Sequence, residues 1–256
     1  MLRKALLLVL ALIVTTGAQA APVSYSFDFT SGGTESGAGS AGNAWTYWDS
    51  GATQEVTVTS WGDGGAVFAA ATGHQQSTGL GVCNASEGTL ANCIGKDNSR
   101  GLDNTAGNDW VLLLFSSRMA LNEFTVFPDV GSKNKAQGRD VTFLAGTLDS
   151  ANDILGATLA DLTTSTALGG LGMVQFSVNN GKAMTAASVD VIGVAGGAEV
   201  WGNALLIGAS VENGGDRFYL NAATTAVPIP AAAWLFLSAL AGLFGRFGAV
   251  KRSSAF

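Results

Sequence analysis

Trp110–Phe115 reads WVLLLF, an unbroken apolar run. A strand that faces water on one side alternates apolar and polar residues, so a continuous run marks a strand buried on both faces. The segments around it alternate with period two. Glu55–Trp61, EVTVTSW, sets Val56 and Val58 on one face and threonines on the other. Val23–Phe29, VSYSFDF, puts Val23, Tyr25, Phe27 and Phe29 on one face, and Leu121–Phe127, LNEFTVF, alternates in the same way. Ala66–Ala71, Asp140–Ala145, Met173–Val178, Ser188–Val194 and Ala204–Val211 are further predicted strands. Clusters of turn-forming residues separate them, such as Gly62-Asp63-Gly64-Gly65 and Asn179-Asn180-Gly181, where Asn-Gly tolerates positive φ. Thr30–Asn43, TSGGTESGAGSAGN, reads as a loop. Ala151–Leu162 is the one place for a short helix or turn, with Asn152 and Asp153 as caps. Many short strands at this spacing predict an all-β fold, an antiparallel β-sandwich of jelly-roll type.

Composition points the same way. Charged residues are 12% of the chain and glycines number 35, which suits a sandwich better than a helical protein. Nineteen acids stand against 13 Lys and Arg, and five of those basic residues lie near the two ends, where no acid does. The central part therefore holds eight basic and nineteen acidic residues, a net charge of −11. That excludes nucleic acid and anionic lipid as partners of the domain.

The ends are of a different kind. Met1–Ala20, MLRKALLLVLALIVTTGAQA, has a positive start at Arg3 and Lys4, then an apolar stretch over Ala5–Val14. Ala18-Gln19-Ala20 is a small-x-small cleavage pattern, so signal peptidase is expected to leave Ala21 as the first residue. The stretch is well short of the ~20 apolar residues that span a bilayer, which argues against a permanent anchor. At the other end Val227–Phe256 reads VPIPAAAWLFLSALAGLFGRFGAVKRSSAF. Pro228 and Pro230 force an extended lead. Ala231–Gly245 is apolar apart from Ser238, Trp234 suits the headgroup boundary, and Arg246, Lys251 and Arg252 form a cationic stop. Ala231–Gly245 alone is short of a span, so a transmembrane helix must include Phe247–Val250, with Arg246 snorkelling to the inner interface. The expected domains are a signal peptide at 1–20, an extracytoplasmic β-domain at 21–226 and a sorting tail at 227–256.

This tail resembles the PEP-CTERM sorting signals of Gram-negative bacteria, in the variant led by Val-Pro-Leu-Pro-Ala. Here the lead is Val227-Pro228-Ile229-Pro230-Ala231, with Ile229 in place of Leu, followed by Trp234 and the apolar stretch. The resemblance implies recognition by exosortase, a membrane transpeptidase-like enzyme, and removal or exchange of the tail. It implies a place in exopolysaccharide and biofilm systems, with the chain held first in the inner membrane by its tail and then at the cell surface or outside. A second resemblance joins Gly79-Leu80-Gly81-Val82, Gly101-Leu102-Asp103-Asn104 and Asp109–Phe115, which look like a family of exosortase-dependent surface proteins. Leu102 stands where that family has Val, and Gly101 where His or Ala is usual. That family has no assigned chemistry, so the resemblance implies no catalytic residues.

Within the central domain three groups of residues stand out. Cys83 and Cys93, the two cysteines, close the stretch CNASEGTLANC and are expected to form a disulfide in an oxidising compartment. Two free thiols are the alternative, and a metal pair without His would leave a tetrahedral shell unfilled. Asp97, Asn98, Asp103, Asn104, Asn108 and Asp109 supply hard oxygens just before the apolar strand. They fit either a structural Ca²⁺ site, with Asp97, Asp103 and Asp109 as ligands, or Asx residues capping turns. No other cofactor is expected. Trp45, Tyr47 and Trp48 fit either core positions or a platform for sugar rings, and Trp61 and Trp201 lie apart from them.

Three functions follow. The first is a non-enzymatic surface protein of the extracellular matrix, partnered by signal peptidase, exosortase, the membrane and extracellular polysaccharide. The second is a carbohydrate-binding module. The third is a secreted hydrolase, for which the sequence offers little: His74 is the sole histidine, read as a loop residue, and there is no G-x-S-x-G elbow. No carboxylate spacing points to a glycosidase pair.

Overall fold

The structure is a computed structural model of the whole chain, and it describes residues 22–39, 42–64, 67–87, 101–105, 107–129, 138–168, 170–212 and 215–227. Ser24–Ala226 forms one compact unit. The other unit, Met1–Val23 with Val227–Phe256, lies almost wholly outside the described residues, and the predicted signal and tail helices lie there. No helix among the described residues is long and apolar enough to cross a membrane.

The chain forms β1 (Val23–Asp28), β2 (Thr34–Gly39), β3 (Gly42–Trp48), β4 (Glu55–Gly62), β5 (Ala69–Ala70), β6 (Thr72–Gln76) and β7 (Gly79–Cys83). It continues through β8 (Leu102–Asp103), β9 (Asp109–Pro128), β10 (Val141–Gly146), β11 (Val174–Val178), β12 (Ala187–Asp190), β13 (Trp201–Ala209) and β14 (Arg217–Val227). Two short helices, α1 (Leu159–Thr163) and α2 (Val191–Val194), complete it with 3₁₀ turns at Ala151–Ile154 and Thr166–Leu168. The fold is all-β, as the alternation predicts. The strands join in one sheet whose main path runs β11-β10-β13-β9-β14-β7-β6, with β2-β3-β4 attached beside the first half of β9.

β9 organises the sheet. Its first half, Asp109–Phe115, lies between β4 and β13, with Leu113 opposite both Val58 and Leu205. Its second half pairs instead with β12 and β14, with Phe124 opposite Val189 and Ala223. Ser116, Ser117 and Arg118 between the halves are exposed. The two halves thus belong to different arms of a curled sheet, and the arms face each other. Phe27 meets Phe115 at 5.5 Å, Phe29 meets Tyr47 at 5.0 Å, and Phe124 meets Phe143 at 5.3 Å.

The continuous apolar run is explained by a second core. Val111, Leu113 and Phe115 point between the arms. Trp110 and Leu112 point the other way, into a cluster with Trp61, Leu144, Leu206, Phe68, Leu148, Ile154, Leu162 and Met173. The helical segment between β10 and β11 therefore roofs the outer side of the first arm. Burying side chains of this size is worth about 1.5–3 kcal/mol each.

Several local expectations are corrected. The 3₁₀ turn is capped by Ser150, with Asp153 as the reciprocal partner, and α1 by Thr158 with Asp161, so Asn152 is not a cap. The Thr158 amide and hydroxyl, both donating to it, hold the Asp161 carboxyl below its ordinary range. The predicted strand Ser188–Val194 stops at Asp190, because the Asp190 side chain accepts from the Gly193 amide at 3.0 Å and starts α2. The runs at Trp110 and Leu121 are one strand. Thr30–Asn43 contains β2 rather than a loop, and Ala66–Ala71 contributes only Ala69–Ala70. Ala204–Val211 does not close the set, since β14 follows it. Asn179-Asn180-Gly181 puts Gly181 at φ 59° but makes no hairpin turn, and it joins strands that pair elsewhere. Arg139 holds the segment through the Asn180 carbonyl at 2.9 Å and the Thr185 carbonyl.

Candidate functional site

β8 is a two-residue strand, and β9 begins six positions beyond its last residue. This brings Asp103 and Asp109 together. Glu87, just after β7, joins them, and one oxygen of each of the three carboxylates lies within 4.8 Å of the others. Among the described residues this is the one group of three or more acids close enough to share a cation. Asp109 is wholly buried and Asp103 is 1% exposed.

Protein donors occupy most of these oxygens. Asn84 Nδ2 donates to Asp109 Oδ1 at 2.8 Å, and the Asp103 amide to Asp109 Oδ2 at 3.2 Å. The Thr105 amide donates to Asp103 Oδ1 at 2.9 Å. The Asn84 amide donates to Glu87 Oε2 at 3.1 Å. Arg217, from β14, sets its Nε 3.3 Å from Asp103 Oδ2 and 3.8 Å from Asp129 Oδ2. Burial pushes the Asp109 carboxyl well above the ordinary range, and the charges of Glu87 and Asp103 push it the same way. Burial also raises Asp103, against the opposing pull of the Thr105 amide and Arg217.

Arg217 offsets part of this charge at Asp103, and the burial of Asp109 favours either a proton on it or a hard cation shared by the three carboxylates. Calcium takes six to eight oxygens at about 2.3–2.6 Å. The described carboxylates would give it three side chains, each already accepting at least one N–H. The pH response separates the two states. Between about pH 4 and the higher folded value of Asp109, the folded chain keeps a proton that the unfolded chain has released. Stability therefore falls as pH rises through that window, by up to about 1.4 kcal/mol per pH unit for one proton. In EDTA, urea unfolding of the wild type is expected to show this fall, and Asp109→Asn to flatten it. An equal slope in the variant would contradict a buried proton on Asp109. Recovery of the lost stability on adding Ca²⁺ would mark the cluster as a cation site.

The other predicted residues scatter. Asp97, Asn98 and Cys93 lie outside the described residues, as do Ala18, Ala20, Ala21, Pro228, Pro230, Ala231, Trp234, Arg246, Lys251 and Arg252. No cysteine among the described residues is free, and Cys83 is buried at the end of β7. Asn104 is a turn residue: its Nδ2 donates to the Ser210 carbonyl at 2.7 Å, and its Oδ1 accepts from Gly215 and Asp216 amides at 2.8 and 3.2 Å. Asn108 bonds Asp63, with Nδ2 2.7 Å from Oδ2. Neither side chain bonds its own neighbouring backbone as an Asx turn does; that bond is made by Asp103, which accepts from the Thr105 amide two residues on. Tyr47 is buried against Phe29, Trp45 is half-buried and Trp48 is 53% exposed, so the cluster divides between core and surface. His74 is not a loop residue; it lies in β6, 5% exposed. Trp61 is core.

Sequence reading missed Asn84, Glu87 and Arg217. Asn84 and Glu87 lie within the stretch between the cysteines, remote in sequence from Asp103, and Arg217 lies on a strand that shows no clean alternation. Compared with known proteins, the sequence matches no family model, and no curated protein matches it.

Proposed function

We propose that this chain is an exported, non-enzymatic surface protein of a Gram-negative cell, sorted and processed by exosortase. The observation that carries the reading is the segment Val227-Pro228-Ile229-Pro230-Ala231 with Trp234 and a cationic end, in one chain with the leader Met1–Ala20. In this reading signal peptidase cleaves before Ala21, and the tail holds the protein in the inner membrane until exosortase acts at the proline lead. The β-domain is then a component of the extracellular matrix, in contact with exopolysaccharide. We read its curled sheet as a jelly-roll-like sandwich and Cys83–Cys93 as its disulfide, formed after export.

Three features support the surface reading. The last described strand ends at Val227, where the proline lead takes over. The domain's net charge of −11 keeps it off anionic lipid and nucleic acid. Its most perturbed carboxylates, Asp103 and Asp109, are sealed from solvent and bonded to protein donors, which suits structure rather than attack on a substrate. Replacing Pro228 and Pro230 together by Ala is expected to leave the full-length chain in the inner membrane, seen as an unshortened band in fractionated cells. A double variant shortened like the wild type would contradict recognition at this lead.

A further inference from the structure

Outside the carboxylate cluster, the structure holds a groove at the β11 edge of the sheet. Two concavities, of about 400 and about 620 Å³, adjoin there and share Thr166, Gly172 and Val174. Trp201, Phe176 and Glu199 wall the first, and Ser165 and Gln175 line the second. This is the size range of small-ligand sites.

The walls are fixed before any ligand arrives. The register of β13 against β9 shifts between Gly202, opposite Met119, and Ala204, opposite Leu114, so the extra residues lie on β9 and β13 runs on unbroken past Trp201. A Cβ at Gly202 would overlap the Gly146 carbonyl oxygen, so only glycine lets β13 come this close to β10. Asn203, the next residue, holds Leu148 from both sides, donating to its carbonyl at 2.9 Å and accepting from its amide at 2.9 Å. The Trp201 indole N–H donates to Glu199 Oε2 at 3.0 Å. Phe176 stacks on Phe143 with centroids 5.0 Å apart and planes 23° apart. Both aromatics of the groove are half-buried and keep part of their surface open. A site with its side chains locked loses less entropy on binding.

We propose that this groove binds a neutral polysaccharide chain. Among the described residues no basic side chain lines either concavity, and Glu199 would repel an anionic ligand. Aromatic faces carry negative potential and attract the C–H groups of a sugar ring. Glu199 accepts sugar hydroxyls beside the ring, while Ser165, Thr166 and Gln175 hydrogen-bond the rest of the chain. Among the described residues of the lining Glu199 is the one carboxylate, an arrangement suited to holding glycan. Trp48, on β3, is outside it. The surface reading gains a ligand site in this way, yet binding is measured on purified protein and is unaffected if exosortase processing fails.

The test uses the full chain, purified in a detergent without a sugar headgroup, titrated with cellohexaose, xylohexaose, mannohexaose and chitohexaose under tryptophan fluorescence. At least one hexaose is expected to bind. Trp201→Ala should weaken it about tenfold or more, Trp201→Phe less, and Glu199→Gln several-fold, while Trp48→Ala leaves it unchanged. Circular dichroism checks that each variant is folded, and Trp201→Phe keeps the test valid if Trp201→Ala is not. The proposal is overturned if no hexaose binds up to about 10 mM. It is equally overturned if folded Trp201 variants bind like the wild type, if Trp48→Ala is the variant that loses binding, or if tetramethylammonium binds in the hexaoses' place.

Discussion

Arg217→Met is expected to cost about 3 kcal/mol of folding stability at pH 7, the lower end of the range for breaking a buried ion pair. Arg217 is the cation facing both Asp103 and Asp129, and its side chain is only 13% exposed against 1% and 9% for theirs. Met keeps most of the length and apolar volume, so the loss is of charge rather than packing. Two buried carboxylates then stand without their cation, and leaving a buried charge unpaired is far more costly than the pair is worth. The cost should shrink towards pH 4. Without Arg217 the Asp103 carboxyl moves further up, and a protonated carboxyl no longer needs a cation. Urea unfolding of both proteins at pH 7 and pH 4 checks this. A penalty that stays the same at both pH values would show that the guanidinium acts by packing alone.

Trp110→Ala is expected to cost more, about 3–5 kcal/mol. Trp110 is wholly buried, its ring meets Phe68 edge-on at 5.5 Å, and it sits under the helical roof in the outer core. For a domain of this size that corresponds to a melting temperature lower by about 10 °C. The effect should also be local. Phe68, Leu148, Ile154 and Leu162 lose their shared partner, so amide exchange over 148–173 is expected to rise more than exchange between the arms. Trp48→Ala, on the exposed face of β3, should stay within about 0.5 kcal/mol. Equal losses for the two tryptophans would contradict the two-core account.

The strands legible in the sequence are those whose side chains face water on one side or on none. WVLLLF announced a strand buried twice, and the structure supplies the two cores it needed. Val56 and Val58, and the alternation at Leu121–Phe127, are strand signals of the same kind. β2 was hidden because TESGAG has turn composition, and only its pairing with β3 makes it a strand. The unity of β9 was hidden because Ser116, Ser117 and Arg118 look like a break, whereas the backbone runs on and Gly202 of β13 pairs with Met119. α2 begins where a local bond, Asp190 to the Gly193 amide, outcompetes a β-branched run. At the cluster, Asp103 and Asp109 could be picked out as acids near a buried strand. Glu87 and Arg217 could not, because only the folding of β7 and β14 around β8 brings them in. The Trp201 groove depends on the close approach of β13 to β10 at Gly202, and one glycine in a strand does not reveal which backbone it lets in.

In the function we propose, the chain is cut at both ends on its way to the surface. The intact mass of the protein recovered from cells with and without exosortase tests this. A chain beginning at Ala21 is expected in both, with a C-terminal tail removed or exchanged at the Val227–Ala231 lead only where exosortase is present. A chain that keeps the unaltered tail to Phe256 in both strains would contradict it.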